Sequence, residues 1–395
     1  MTHPVSRRRF IQGATALGTA AALGACTSDD SRSTPATRPL GTDAPHPSAD
    51  GTLVLVTLYG GNDALNMVAP VADPRYASLR GALALDPATA HDLGEGFALH
   101  SAMPRSKALW DDGHLAVVHG VGFDGLDRSH FHCMDVWQTG AADAVSTGWI
   151  GRWLDAVGND PLDAIAVAYR PPLVTRGHRR SAAVVPPGPF ELPGDDDLHA
   201  LLAGLAAQDR KRPALGALAA ANTIDLLAVA STVGPLVASS PAADTLAARL
   251  ETVATLINAG LPTRAYAVDL GGFDTHAGQA PTHAALLGEL DSALGDFLER
   301  VAGHKVTVLV YSEFGRRVEP NASAGTDHGG AGTVLLAGAV RPGHHGDAPP
   351  LTALADGDLA TTVDFRSVYG AILEGVLGVD AKDVLDSPPR PLDLV

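Results

Sequence analysis

Residues 52–59 form an almost unbroken β-branched and aliphatic run that stops at Gly60 and Gly61. A run apolar at successive positions leaves no face for solvent, so it predicts a strand covered on both sides, as in a parallel sheet. Comparable runs recur at 115–119, 164–169, 264–270, 306–311 and 333–337. Between them, 105–111, 283–302 and 367–377 carry apolar positions at helical spacing. Strands alternating with helices predict an α/β fold with a doubly wound, mostly parallel sheet.

One stretch departs from this alternation. Residues 196–260 are rich in Ala and Leu, poor in β-branched clusters, and interrupted by Pro213, Pro235 and Pro241. They predict three or four helical pieces, a helical insertion packed beside the sheet inside one domain spanning 51–395. No fixed-period repeat is present, and the Pro-rich tail 388–391 reads as an extended surface closure.

The first fifty residues have a different character. Ser6, Arg7, Arg8, Arg9, Phe10, Ile11 and Gln12 match a twin-arginine export pattern, and a Gly/Ala/Leu stretch follows over 13–25. That stretch is shorter than the roughly 20 apolar residues a bilayer requires. It ends in Leu23, Gly24, Ala25 and Cys26, which resembles a lipobox, with Cys26 the lipidated residue. An ordinary signal peptide cut near Ala25 is the alternative. Residues 27–50, full of Ser, Thr, Pro and Asp, read as a flexible tether. The expectations are the Tat translocon as a transient partner, a lipid anchor in the membrane, and a location facing the periplasm or the outside.

Composition narrows the function classes. Among 395 residues the net charge is −16, and because residues 1–50 hold five arginines and four aspartates, residues 51–395 carry −17. Such a body repels phosphate backbones, so nucleic acid is not an expected partner. Two cysteines, Cys26 and Cys133, form no disulfide framework. Cys133 is expected to be buried as a small hydrophobe.

In an open parallel sheet, ligands bind beyond the carboxyl ends of the strands. Four loops in or near such places combine glycine with acids or histidine: 60–63 with Asp63, 271–276 with Asp274 and His276, 312–317 with Glu313, and 325–330 with Asp327 and His328. Glycine lets backbone approach a ligand closely, while carboxylate and imidazole suit a borderline cation, so the loops suggest a metal cup. Asp274 and His276, two apart, leave an extended segment on the same side. Of the adjacent pair Asp327 and His328, His328 is the expected ligand and Asp327 its supporting partner. The bland alternatives are turn chemistry for Asp63 and an ion pair of Glu313 with Arg316 or Arg317.

A second cluster, Asp127 to Met134, follows the 115–119 strand and opens a helix. Ser129 at that helix start is placed either as a nucleophile beside Arg128, an anion clamp, or simply as the N-cap. His130 and His132 are candidate ligands, proton carriers or packing residues. No GxSxG, HExxH or GxxxxGK[ST] occurs, which argues against elbow hydrolases and P-loop enzymes, and the Gly pairs at 60–61 and 271–272 neither form GxGxxG nor lead to an acidic residue at the spacing a nicotinamide site needs, so dinucleotide binding is not expected.

Taken together, the segments Leu58 to Asn66, Arg128 to Phe131, Thr147 to Arg152, Phe273 to His276, Ser312 to Arg316 and Asp327 to Gly329 resemble the Tat-exported bacterial domain-of-unknown-function family 1501, described as sulfatase-like. The resemblance covers roughly residues 51–390. That family is similar in fold to the alkaline phosphatase superfamily, which implies a Ser, Thr or modified Cys nucleophile and one or two cations. By motif position it implies Ser129 as nucleophile and Asp63, Asp274, His276, Glu313 and His328 as metal ligands, with Zn, Mn or Ca as the divalent ion and an anionic ester as substrate. Two departures stand out. Glu313-Phe314-Gly315 replaces the Asp-His-Gly often found there, so a single-metal or rearranged site with His130 or His132 compensating is implied. Cys133 is followed by Met134, Asp135, Val136 and Trp137, which lacks the sulfatase signature. The expected activity is metal-dependent hydrolysis of phosphate or sulfate esters. Its rival is a non-catalytic envelope lipoprotein of the same fold that binds a partner or envelope polymer.

Overall fold

The computed structural model describes residues 51–395 except 142–144, 159 and 208–213. The export motif, the lipobox with Cys26 and the tether at 27–50 therefore lie outside the described residues. The described chain divides into a larger unit, 51–188 with 240–395, and a smaller one, 189–239.

In the larger unit the strands are β1 (Thr52–Leu58), β2 (Val68–Ala69), β3 (His91–Gly94), β4 (Phe97–Leu99), β5 (Leu115–Gly122), β6 (Ala164–Val167), β7 (Ala183–Val185), β8 (Ala265–Leu270), β9 (Val306–Ser312), β10 (Gly332–Gly338), β11 (Gly343–His345) and β12 (Val363–Asp364). The main sheet runs β11-β5-β10-β9-β1-β8-β6-β7, with β12 also paired to β5, while β2, β4 and β3 form a small separate sheet. β1 lies at its centre, parallel to both β8 and β9. Only β10 runs against its neighbours, antiparallel to β5 and β9. The expected mostly parallel α/β sheet is thus present, with the 333–337 run as its antiparallel member.

The helices of eight or more residues are α1 (Pro104–Asp111), α2 (His130–Thr139), α3 (Trp149–Val157), α4 (Asp196–Ala207), α5 (Ala214–Val237), α6 (Leu246–Asn258), α7 (Gln279–Arg300) and α8 (Phe365–Ile372). Alternate β1 residues Leu53 and Leu55 share one apolar cluster with Trp137 of α2, Trp149 and Trp153 of α3, and Val368 and Tyr369 of α8. The other parity, Val54 and Val56, is equally buried, so both faces of β1 are covered as the sequence run requires. α6 packs on α7 and β8, and α7 on α1. The Ala/Leu-rich stretch divides: α4 and α5 belong to the smaller unit, where they pack on each other, and α6 to the larger.

The loop after β1 shows why glycine stands there. Gly60 has φ +118°, and a Cβ on it would fall 2.4 Å from the Asp274 amide nitrogen. Gly61 has φ +72°, and its Cβ would strike the Phe314 ring at 2.3 Å. Only residues without a side chain let the three strand-end loops close on one another.

Candidate metal centre

The centre forms at the carboxyl ends of β1, β8 and β9, with α2 and the loop before β10 closing it. His130 (first residue of α2), Asp274 (after β8) and His328 (before β10) offer ligand atoms that all lie within 4.8 Å of one another. Asp274 Oδ1 is 2.9 Å from His276 Nε2, 3.2 Å from His328 Nε2 and 3.4 Å from His130 Nε2. His276 Nε2 and His328 Nε2 are 3.0 Å apart.

The far side of each ring fixes its tautomer. His130 Nδ1 is 2.7 Å from Glu313 Oε1, His276 Nδ1 is 3.1 Å from Asp327 Oδ1, and His328 Nδ1 is 2.8 Å from the Arg128 carbonyl oxygen. Ionised carboxylates and carbonyls only accept, so each Nδ1 is placed as the donor, and a ring that keeps its one hydrogen there turns a bare Nε2 inward. Hydrogen bonds from Asn321 and His276 hold the Asp327 carboxyl below its usual range, which keeps it an acceptor. This is the outer arrangement that orients metal-binding histidines.

The residues fit a cation. His130 Nε2 is buried without a hydrogen-bond partner. Two facing Nε2 lone pairs at 3.0 Å repel unless positive charge lies between or beside them. Three imidazoles and one carboxylate are the donors a borderline divalent ion takes.

Asp274 is set in place by Arg316. Its buried guanidinium donates to Asp274 Oδ1 at 2.6 Å, to the carbonyls of Gly61 (2.7 Å), Thr326 (2.8 Å) and Phe273 (3.1 Å), and to that of Gly60. One side chain thereby ties the loops after β1 and β8 and the loop before β10. Burial works against charge on Asp274, but the hydrogen bond and positive charge of Arg316 outweigh it and bring the carboxyl down to about 2.

The structure brings Asp274, His276, His328 and His130 together and reassigns the other expected residues. Glu313, expected as a ligand, reaches the centre only through His130. Oε1 also accepts from the Gly60 amide at 2.9 Å, and Oε2 from the Ser312 hydroxyl at 2.9 Å. Asp63, also expected as a ligand, lies fully buried against Arg80 and Gln279. Burial opposes its charge, yet Arg80, His283 and Gln279 together lower its pKa. Arg80 further donates to Asn66 Oδ1 at 2.7 Å, and Asn62 Oδ1 lies 2.8 Å from His283 Nε2, so this segment forms a buried polar layer of its own.

Arg128, expected to clamp an anion, spends its guanidinium on Asp358 (2.5 and 3.0 Å) and Asp356 (3.2 Å). Ser129 is the N-cap of α2, its Oγ 3.5 Å from the His132 amide nitrogen. His132 turns to Asp127 at 3.0 Å. Cys133 is buried as expected, and burial with Asp127 nearby pushes its thiol up to about 12. Asp327 supports His276 rather than its neighbour His328.

Sequence reasoning missed Arg316 as the inner tie, and Arg80, Gln279 and His283 in the layer behind. Nothing local distinguishes them, because each acts on residues far away in the chain.

The fold and site thus define an α/β protein with a candidate cation site at the carboxyl edge of its sheet. The chain belongs to the family of proteins of unknown function DUF1501, which matches residues 128–388 and so takes in every residue of the centre. No curated protein matches it. Among solved structures, the C-terminal periplasmic domain of EcEptC from Escherichia coli, in complex with Zn, is similar with a TM-score of 0.38 and 11% identity, over 75% of this chain and 74% of that one. Ps i-CgsB is similar with a TM-score of 0.38 and 9% identity, over 87% and 75%.

Proposed function

We propose that the chain is an exported, metal-dependent hydrolase of phosphate or sulfate esters on an alkaline-phosphatase-like α/β domain. The observation that carries this reading is the convergence of three imidazole Nε2 atoms on the Asp274 carboxylate, each ring held from behind by Glu313, Asp327 or the Arg128 carbonyl. His130, Asp274, His276 and His328 would hold the ion. Their nitrogen-rich set favours Zn²⁺ or Mn²⁺ over Ca²⁺, which takes oxygen ligands. Bound there, the ion would polarise an ester oxygen and stabilise charge developing as the ester bond breaks.

The chain's own groups supply the rest. Glu313 and Asp327 orient rings, and Arg316 keeps Asp274 ionised. Ser129, next to His130 at the start of α2, is the candidate nucleophile. Its Oγ would bond to phosphorus or sulfur as the alcohol leaves with the serine proton, and water would then release the anion from Ser129. The test is turnover of aryl phosphate monoesters, diesters and sulfates by the full chain, its Ser129→Ala variant and its His328→Ala variant, alongside elemental analysis. Metal-dependent turnover lost in both variants is expected. Turnover retained by Ser129→Ala would remove that residue from the mechanism.

Export and lipid anchoring at Cys26 belong to the same proposal and rest on residues 6–12 and 23–26. Cys26→Ser should move the chain from the membrane to the soluble fraction of the producing cells.

A second reading, a non-catalytic envelope lipoprotein, draws support from two observations. Ser129 already serves as a helix cap, and Leu201, Leu205, Leu215, Leu218 and Ile224 of α4 and α5 stand exposed as an apolar contact for a partner or polymer. Bound metal without turnover of any ester by the wild type would favour it.

A further inference from the structure

The turn at 355–358 grips both sides of the centre. Asp358, 2% exposed, takes the Arg128 guanidinium at 2.5 and 3.0 Å through Oδ2 and faces Arg317 Nε at 3.4 Å through Oδ1. Arg128 belongs to the loop that leads into His130, and Arg317 follows the Arg316 that ties Asp274. Arg317 also donates to the Asp356 carbonyl, and a Cβ on Gly357 would fall 2.9 Å from Arg317 Nη1. The turn is therefore shaped around these two arginines.

Arg128 itself holds φ +61°, a backbone conformation L side chains rarely adopt, so something must hold it there. The ion pair to a carboxylate sealed from water is the strongest hold on that residue, since a charge-assisted pair gains most where solvent is excluded. The same residue's carbonyl receives the His328 Nδ1 hydrogen at 2.8 Å. If the side chain is released, φ relaxes to negative values and the carbonyl leaves His328.

We propose that Asp358 is a positioning residue of the centre: by anchoring Arg128 in its left-handed conformation it keeps His328 in the Nδ1–H tautomer, with Nε2 bare towards Asp274. The proposal rests on the metal reading above for its purpose, but the tautomer is measurable without metal.

The experiment uses the full chain, stripped by chelator and labelled with ¹⁵N, and reads the His328 ring nitrogens by long-range proton–nitrogen correlation. Zinc affinity is read by chelator competition, and folding by the urea midpoint. In Asp358→Ala the His328 signals should shift from the Nδ1–H pattern towards a tautomer mixture, and zinc should bind about 10- to 100-fold more weakly. Asp358→Asn should move both in the same direction by less and serves if the alanine variant does not fold. Asp356→Asn, at an exposed carboxylate on the same guanidinium, should leave both readouts in place. Unchanged tautomer and affinity beside a lowered midpoint would overturn the proposal, as would equal effects of the Asp356 and Asp358 variants. A wild type that binds no zinc defeats the metal reading, while the tautomer shift still decides the role of Asp358.

Discussion

His276 Nε2 lies 3.0 Å from His328 Nε2, while the Nδ1 of each ring faces an acceptor, Asp327 Oδ1 and the Arg128 carbonyl oxygen. Two lone pairs facing at that distance form a prepared electron-rich site, and its cation should stabilise the fold by mass action. Zinc at 100 times its Kd should raise the unfolding free energy by about 2.7 kcal/mol, and a chelator should reverse the gain. His328→Ala should bind less zinc and lose most of that shift. Thermal scans with and without metal check this, and an undiminished shift in the variant would count against the centre.

Arg316 should matter more to the fold than any other charged residue of the site. Arg316→Met would leave the buried carbonyls of Gly61, Thr326 and Phe273 without their donor and the half-exposed Asp274 carboxylate without its cation, a loss of about 1–3 kcal/mol for each buried acceptor left unpaired. Urea unfolding measures it, and a change under 1 kcal/mol would contradict the reading of Arg316 as the tie of three loops.

Gly61→Ala tests the close approach of the loops. The methyl group would meet the Phe314 ring on a backbone at φ +72°, so about 1–3 kcal/mol of stability should be lost. Zinc affinity should fall with it, because Phe314 packs 4.9 Å from the His130 and His328 rings.

His119 supplies a pH dependence away from the centre. Burial, helped by His344 and His345, lowers its pKa to about 3. The folded state keeps this ring neutral, while the unfolded chain protonates it below its ordinary value near 6.5. Stability therefore falls as pH drops from about 6.5 towards 3, with a slope from this ring of about 1.4 kcal/mol per pH unit. His119→Gln should flatten the curve by one proton between pH 6 and 4, read from urea midpoints across buffers.

Much of this arrangement was legible in the chain. The runs at 52–59, 264–270 and 306–311 announce β1, β8 and β9 because central parallel strands carry few polar positions. The glycine-flanked Asp274, His276 and His328 announce the centre because loops there have no packing reason for such residues. The small strands β7, β11 and β12 were not legible, being too short to show a period. The split between inner and outer carboxylates was hidden too. Asp63, Asp274 and Glu313 follow strands in the same way, and only the position of Arg80, Arg316 and His130 decides which carboxylate faces the centre.

The central place of β1 also governs how the molecule can assemble. Thr57 Oγ1 donates to the Tyr311 hydroxyl at 3.1 Å across 254 positions of sequence, and both neighbours of β1 come from the later part of the chain. A nascent chain therefore carries its strongly apolar central strand unpaired until β8 and β9 exist. Contacts of such high sequence separation make folding slow and leave a sticky edge exposed meanwhile. A refolding rate limited by docking of β1, and sensitive to chain concentration through aggregation of that segment, is the kinetic signature this topology imposes.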